Sequence, residues 1–185
     1  IWNLAETYNR ALAESEGEYV AILEGDDTWP TNKLEVQVPR MERENVVMSC
    51  GRWLRMNTEG EVPKLARLYT WMSTVLAKSE RTSGLEVMDD FLRNGNSIQP
   101  VTAMIQREAL TAIGGFQQPD YAPYVDYPTF LELFNEGVLL QIPRVLGYHR
   151  HHSEQVTRQR INQITSVANR YALEFYDSLP SNNRT

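Results

Sequence analysis

The sequence predicts an α/β domain in which helices flank a mostly parallel or mixed β-sheet. Segments with apolar residues at helical spacing alternate along the chain with short apolar runs of the length of a buried strand, and this alternation is typical of a layered α/β architecture. The 185 residues, 42% hydrophobic and 23% charged, are enough for one domain with its own core. Because no internal repeat is visible, we predict a single domain over residues 1–179 and a flexible tail over residues 180–185.

The first part of the chain predicts two helices and two strands. Residues 2–15 have an apolar helical face and are followed by Gly17, a residue that commonly ends helices. Residues 19–23 are a continuous apolar run, which predicts a buried strand. A helix over residues 33–44 and a second strand over residues 46–54 follow.

The rest of the chain predicts a similar alternation after a stretch that has no clear period. Residues 57–82 contain many apolar side chains at mixed spacing and predict no element. Glycines follow three of the later helical segments, where a left-handed residue often ends a helix. In chain order we predict a helix over 84–93, a strand over 101–105, helices over 107–113 and 128–135, strands over 138–142 and 145–150, and a helix over 159–177.

Charge and cysteine content exclude several classes of protein. Lys and Arg number 18 against 24 Asp and Glu, a net charge of −6, which argues against a dedicated nucleic-acid binder. The single cysteine, Cys50, excludes an internal disulfide framework and a cysteine-based zinc site. No apolar run has the length of a membrane-spanning helix. The chain begins at Ile1 and has no signal-peptide pattern, so we expect a fragment or a trimmed chain.

Three carboxylates follow the predicted strand within four residues: Glu24, Asp26 and Asp27. In α/β sheets, ligand sites gather at the carboxyl ends of strands. Like charges at this spacing repel unless a cation or hydrogen-bond donors offset them. Oxygen ligands suit Mg²⁺ or Mn²⁺, which usually complete their coordination with phosphate oxygens. These residues alone support a metal site and a solvated acidic turn equally.

Several further segments stand in a specific order around this loop. They are Asn9-Arg10, Gly17-Glu18-Tyr19, Glu24-Gly25-Asp26-Asp27, Trp29, Lys33-Leu34-Glu35-Val36-Gln37, Gly114-Gly115-Phe116, Val125-Asp126-Tyr127 and Tyr148-His149-Arg150-His151-His152-Ser153-Glu154-Gln155. In type and order, these segments resemble the motifs of family 2 glycosyltransferases of the GT-A fold. The resemblance implies a GT-A-like mixed sheet flanked by helices, with the family's N-terminal nucleotide-binding strands preceding Ile1 and absent from this chain.

The resemblance also implies a reaction and a metal site. Family 2 enzymes transfer a sugar from a nucleotide-diphospho-sugar to an acceptor hydroxyl, usually with inversion at the anomeric carbon. Carried over, Glu24 and Asp26 occupy the acidic positions of the DxD-type loop, and His152 is a further ligand of Mn²⁺ or Mg²⁺. The cation would stabilise the charge that develops on the departing diphosphate. Glu24 stands where the family usually has Asp, so its direct coordination is the less secure of the two.

The resemblance assigns the other site residues to the base and to donor binding. Asp126 matches the family's general base, which takes the proton of the attacking hydroxyl, whereas the residues alone favour a helix cap before Pro128. Asp27, Arg150 and Trp29 are predicted to contact the donor, although a core position is the plainer interpretation of the tryptophan.

Two histidines, His149 and His151, and the stretch over residues 61–82 are assigned less specifically. Strand alternation places His149 and His151 on the face opposite Arg150 and His152, and a solvated strand end is the plainer interpretation of these two histidines. Residues 61–82 are interpreted as lying on the acceptor side, or as an extra element covering the sheet.

Two other functions stay open at this point: a non-catalytic module that binds a nucleotide-sugar or a glycan, and a metal-dependent phosphoesterase. The expected partners are a nucleotide-diphospho-sugar and a glycan, lipid or protein acceptor, with no nucleic acid. We expect a cytoplasmic location, and leave open a peripheral association with the inner face of the membrane.

Overall fold

The computed structural model describes residues 3–42, 45–68, 80–155 and 161–180. The helices are α1 (Leu4–Glu14), α2 (Lys33–Met41), α3 (Gly84–Asn94), α4 (Arg107–Ala112), α5 (Asp126–Glu136) and α6 (Ile161–Ser178), with one 3₁₀ turn at Pro100–Thr102. The strands are β1 (Tyr19–Ala21), β2 (Val46–Met56), β3 (Glu80–Ser83), β4 (Met104–Gln106) and β5 (Val138–Arg150).

The five strands form one mixed sheet in the order β1-β4-β2-β5-β3. The central pair, β2 and β5, is parallel, and the three other pairings are antiparallel. The predicted mixed sheet with flanking helices is therefore confirmed. The parallel pair runs from Val46 beside Val138 to Met56 beside Arg150, so β5 delivers its last residues to the same end of the sheet as β2.

The two strands predicted over 138–142 and 145–150 form one long strand with an irregularity in the middle. Ile142 pairs with Gly51 and Val145 pairs with Arg52, so two residues of β5 are accommodated without partners of their own. A side chain at Gly51 would come within 2.8 Å of the carbonyl oxygen of Arg144. Glycine therefore permits the close approach of the backbones at this bulge.

Strand β1 differs from the predicted buried strand over residues 19–23. It covers only Tyr19–Ala21, all three residues are half-buried, and Leu23 is exposed. Within the described residues, β1 pairs with β4 on one side only. An apolar run predicts burial of the side chains, but it does not predict how many neighbours a strand has.

The core lies on both faces of the sheet, as the alternation of strand side chains requires. Val47 and Leu139 belong to the larger cluster, under α3, α4, α5 and α6, whereas the adjacent Val46 and Leu140 belong to the smaller cluster beside α2. The predicted layering of helices on a sheet is thus observed directly.

Helix α2 begins where the sequence predicts, and its first residue is unexpectedly buried. Lys33 is 1% exposed, and its Nζ atom donates to the carbonyl oxygens of Thr102 at 3.0 Å and Ala103 at 3.4 Å and to the side chain of Gln37. The lysine thereby joins α2 to the 3₁₀ turn. Burial lowers the pKa of its ammonium group to about 7.

Some predicted segments lie partly or wholly outside the described residues: residues 69–79 of the stretch over 61–82, the first residues of the last helix, and the tail beyond residue 180. None of the helices that the structure describes is long and apolar enough to cross a lipid bilayer.

Candidate active site

Residues 24–28, which we call the acidic loop, are attached to the end of β5. The backbone of Thr28 exchanges two hydrogen bonds with that of Tyr148, at 3.1 and 2.8 Å. The Oδ1 atom of Asp27 accepts the backbone N–H of Arg150 at 2.8 Å. The last residues of β5 therefore position the acidic loop.

The guanidinium group of Arg150 holds the acidic loop from a second side. It donates to the carbonyl oxygens of Asp26 at 2.8 Å, Asn57 at 3.1 Å and Thr58 at 2.6 Å. Three backbone carbonyls in two separate turns thus share one side chain, an arrangement that the planar fork of arginine favours. Contact between Arg150 and a sugar donor stays a prediction.

Asp26 and His152 meet at the acidic loop. The Nε2 atom of His152 lies 3.2 Å from the Oδ2 atom of Asp26, and both side chains are partly exposed. An imidazole nitrogen and a carboxylate oxygen at this distance suit a divalent cation whose remaining ligands are phosphate oxygens and water. The described residues contain no group of three or more His, Cys, Asp or Glu side chains arranged around one point. The pair therefore fits a cation shared with a bound diphosphate, rather than a metal held by the protein alone.

Asp27 is buried and pairs with His149. The Nδ1 atom of His149 lies 3.2 Å from the carboxylate, and its ring stands edge-on to Trp53 at 5.7 Å between centroids. The hydrogen bond with Asp27 raises the pKa of His149, against the opposing effect of burial. The side chain of His149 thus faces the acidic loop and contacts Asp27. The interpretation of His149 as a solvated strand-end residue is therefore wrong.

Glu24 of the acidic loop contacts helix α1. Its Oε1 atom accepts a hydrogen bond from the hydroxyl of Tyr8 at 3.3 Å. Burial, together with the negative charges of Asp126 and Asp27, raises the pKa of Glu24 to about 7. The structure thus brings Glu24 close to the predicted base, and does not join it to Asp26 and His152 in one ligand group. Its predicted role in metal binding stays a prediction.

Two clefts meet at Glu24. The first cleft, of about 880 Å³, lies between α1, β1 and the acidic loop, and Asp26, His152 and Gln155 line its polar end. The second cleft, of about 570 Å³, lies between α1, α3, α5 and α6. Glu24 and His149 line both, so these two side chains stand in the wall that the clefts share.

Asp126 lies in the second cleft, at the start of α5. The helix begins at Asp126 itself and its N-cap is Val125, so the capping interpretation of Asp126 is not what the structure shows. The Oδ2 atom of Asp126 accepts a hydrogen bond from the Nδ2 atom of Asn96 at 2.6 Å. Burial raises the pKa of Asp126, whereas hydrogen bonds from the backbone of Tyr127 and from Asn96 act in the opposite direction.

Trp29 lines neither of these clefts. Its Nε1 atom donates to the carbonyl oxygen of Val101 at 3.0 Å, and the ammonium of Lys33 lies 5.2 Å from the ring centroid. The indole therefore anchors the loop after Asp27 to the 3₁₀ turn. Its predicted contact with the donor stays a prediction.

The sequence predictions assign no functional role to three residues that the structure places at the clefts: Tyr8, Asn96 and His149. Tyr8 is on the apolar face of α1, where it is indistinguishable from a core residue. Asn96 follows a helix-ending glycine, a position that usually indicates a turn. His149 lies between Tyr148 and Arg150, whose backbones both form hydrogen bonds with the acidic loop. Its place at the site follows from this register of β5, which the sequence alone does not give.

The chain matches the model of a known protein family. The model of the family described as glycosyl transferase family 2 matches residues 2–114, which include the acidic loop and α2. Asp126 and His152 lie after the matched residues, so their importance rests on the geometry of the two clefts.

Two curated proteins show the range of related sequences. A putative teichuronic acid biosynthesis glycosyltransferase (TuaG) of Bacillus subtilis (strain 168) is 31% identical over 129 residues, which is 70% of this chain and 44% of that protein. The UDP-Glc:alpha-D-GlcNAc-diphosphoundecaprenol beta-1,3-glucosyltransferase (WfgD) of Escherichia coli is 36% identical over 56 residues, 30% of this chain and 22% of that protein. The chain thus spans less than half the length of either relative.

The fold has a close counterpart among solved structures. The crystal structure of S. aureus TarS 1-349 in complex with UDP-GlcNAc superimposes with a TM-score of 0.61 at 12% sequence identity, over 95% of this chain and 48% of that one. At this identity the likeness shows the fold alone, which is that of the GT-A glycosyltransferases.

Proposed function

Because the chain belongs to glycosyl transferase family 2, we propose that the protein transfers a sugar from a nucleotide-diphospho-sugar to an acceptor hydroxyl with inversion at the anomeric carbon. One observation carries this proposal. The predicted base, Asp126, and the Asp26–His152 pair lie in adjoining clefts that share Glu24 and His149. An inverting displacement needs the nucleophile and the leaving group on opposite sides of one carbon, and two clefts with a common wall provide that arrangement.

The first cleft is proposed to bind the donor diphosphate. Asp26 and His152 would hold Mn²⁺ or Mg²⁺ there, and the cation, when bound, would stabilise negative charge on the leaving diphosphate. Arg150 keeps these residues in place by binding the carbonyl oxygen of Asp26. The buried Asp27–His149 pair adds a rigid, hydrogen-bonded floor beside the cleft.

The second cleft is proposed to bind the acceptor, with Asp126 as the general base. The carboxylate takes the proton of the acceptor hydroxyl while that oxygen forms a bond to the anomeric carbon. The bond between this carbon and the diphosphate oxygen breaks at the same time, and its electron pair leaves with the diphosphate. The cleft also has aromatic and aliphatic walls, from Tyr8, Tyr124, Leu92 and Ile164, suited to the face of a sugar ring.

The relatives suggest a biological setting for this reaction. Their names refer to teichuronic acid biosynthesis, to a diphosphoundecaprenol-linked acceptor and to UDP-glucose, and TarS is seen with UDP-GlcNAc. We therefore propose synthesis of a cell-envelope polysaccharide from a uridine-diphospho-sugar. A glycan, lipid or protein as acceptor, peripheral membrane association and a cytoplasmic location stay predictions.

The test is release of UDP by the full-length protein from UDP-glucose and UDP-GlcNAc with Mn²⁺, with a panel of nitrophenyl glycosides as acceptors. We expect Asp126→Asn to lower the rate by about 100-fold or more, with donor binding unchanged in calorimetry. Asp120→Asn, an exposed aspartate on the same loop, is the matched control and should keep the wild-type rate.

The other two functions predict different results in the same assay. A non-catalytic binding module would bind the donor and release no UDP with any acceptor. A phosphoesterase would release phosphate from simple phosphate esters without an acceptor. Either result, or full activity in Asp126→Asn, would contradict the proposal.

A further inference from the structure

Asn96 connects two elements that are distant in sequence. It follows α3 and donates from its Nδ2 atom to the Oδ2 atom of Asp126, at the start of α5, over 2.6 Å. Within the part of the chain that the structure describes, it is the only side chain that donates a hydrogen bond to this carboxylate. The loop after α3 therefore has a direct contact with the proposed base.

The orientation of the Asn96 amide is fixed by a second hydrogen bond. Its Oδ1 atom accepts the backbone N–H of Ile98 at 2.8 Å. Because the oxygen is used by a backbone donor, the NH₂ group is the one that faces Asp126. Ile98 is buried in the core and Gly95 adopts φ +80°, so the turn that presents the amide is anchored on one side and sharply bent on the other.

We propose that Asn96 is a positioning residue, which holds the Oδ2 atom of Asp126 so that the carboxylate stays charged and keeps one orientation toward the acceptor hydroxyl. This inference rests on the proposed function, in which Asp126 is the base. A carboxylate that accepts a hydrogen bond from a neutral amide is favoured in its charged form. The amide donates one hydrogen bond without adding a charge that would compete with the substrate.

Burial is the effect that acts against the ionisation of Asp126, and several titratable groups surround this carboxylate. Tyr8 of α1, Glu24 of the acidic loop and Tyr124 lie close enough to interact electrostatically with it. Arg93 of α3 and His149 of β5 also line the second cleft, and Tyr127 follows Asp126 in α5. Glu24 is the acid that faces Asp126 from another element, and the charge of Asp126 raises the pKa of Glu24. The Asn96 hydrogen bond opposes the effect of burial on Asp126.

The sharpest variant is Asn96→Asp in the full-length protein. Aspartate retains an oxygen that can accept the N–H of Ile98, and it replaces the donor to Asp126 by a second negative charge. The matched control is Asn135→Asp, because Asn135 is exposed near the other end of α5 and lines neither cleft. Both variants change the net charge equally.

The primary measurement is the pH titration of the Asp126 carboxyl carbon by ¹³C NMR, without substrate. We expect the pKa of Asp126 to rise by about one pH unit or more in Asn96→Asp and to stay unchanged in Asn135→Asp. In UDP release from UDP-glucose or UDP-GlcNAc, the acidic limb of the pH–rate profile should move to higher pH by the same amount.

The outcomes separate the two proposals. An unchanged titration of Asp126 in Asn96→Asp, or an unchanged acidic limb while Asp126→Asn is inactive, would overturn the role of Asn96 and leave the proposed function standing. Full activity of Asp126→Asn would overturn both. A melting temperature of Asn96→Ala equal to that of the wild type would show that the loss of this side chain does not destabilise the fold. A shift of the acidic limb of the pH–rate profile could then not be explained by destabilisation.

Discussion

The Nε2 atom of His152 lies 3.2 Å from the Oδ2 atom of Asp26, although 126 residues separate them in sequence. The pairing depends on β5, which ends two residues before His152, and on the backbone hydrogen bonds between Thr28 and Tyr148. One long strand thus brings a carboxylate oxygen and an imidazole nitrogen to the same side of the first cleft.

The first prediction concerns coupling between these two residues. We expect Asp26→Ala to weaken Mn²⁺-dependent binding of UDP by several kcal/mol, or about 100-fold, because the cation loses its carboxylate ligand. His152→Ala should weaken it less, and the double variant should resemble Asp26→Ala alone, since contacting residues are not additive. Titration calorimetry with UDP and Mn²⁺ measures the binding free energies of the wild type, the two single variants and the double variant. Additive losses, or unchanged binding in Asp26→Ala, would contradict a shared cation.

The second prediction concerns the fork of Arg150. Arg150→Lys keeps the positive charge, but one ammonium cannot reach the carbonyls of Asp26, Asn57 and Thr58 in the same geometry. We expect amide hydrogen exchange over residues 24–28 to become at least about tenfold faster, a loss of about 1.4 kcal/mol of local stability. Arg67→Lys, at an exposed position, is the control. Equal exchange in both variants would show that the fork does not hold the loop.

The third prediction concerns the buried ammonium of Lys33. Its folded-state pKa of about 7 lies below the ordinary value of 10.5. Between these values the unfolded chain binds more protons than the folded one, so stability rises with pH. Compared with Lys33→Met, the wild type should therefore gain up to about 1.4 kcal/mol per pH unit above pH 7. Urea unfolding at several pH values measures this gain.

The control for this experiment is Lys64→Met, at an exposed position. Its stability relative to the wild type should not change over the same range. A constant difference between the wild type and Lys33→Met from pH 6 to pH 10 would mean that Lys33 stays charged in the folded protein, held by the carbonyl oxygens of Thr102 and Ala103.

The fourth prediction compares two glycines. A methyl group at Gly84 would overlap the carbonyl oxygens of Phe134 and Gly137, whereas at Gly25 it would meet no atom within 4 Å. Gly84→Ala should therefore cost about 3 kcal/mol or more, because the backbone of α5 has to move. Gly25→Ala should change the free energy of unfolding by about 0.5 kcal/mol or less. Chemical denaturation of both variants checks the contrast, and equal stabilities would refute the close approach of α3 and α5.

The layered fold follows from periodicity, and the acidic loop follows from the order of its motifs. The length of each strand and the number of strands beside it do not follow from these patterns. The apolar run at residues 19–23 predicts a buried strand, yet β1 is three residues long and half-buried, because burial also depends on partners that a local pattern does not encode. The bulge opposite Gly51 joins two predicted strands into one.

The candidate site also contains residues that the sequence predicts and residues that it does not. The spacing of Glu24, Asp26 and Asp27 leaves a metal site and an acidic turn equally open, and the roles of Asp26, Asp27 and His152 are predicted from the resemblance. Asn96 and the buried Lys33 carry no local pattern that separates them from a turn residue and a surface residue. Their importance arises from contacts made over 30 and 69 residues of sequence. Such contacts are set by the packing of helices, which a single sequence reports only indirectly.

The double backbone link between Thr28 and Tyr148 has a mechanical consequence. The acidic loop cannot swing out without breaking both of these backbone hydrogen bonds to a central strand. The carboxylates therefore form a fixed platform beneath whatever occupies the first cleft, and any movement that encloses a substrate has to come from other parts of the protein descending onto it.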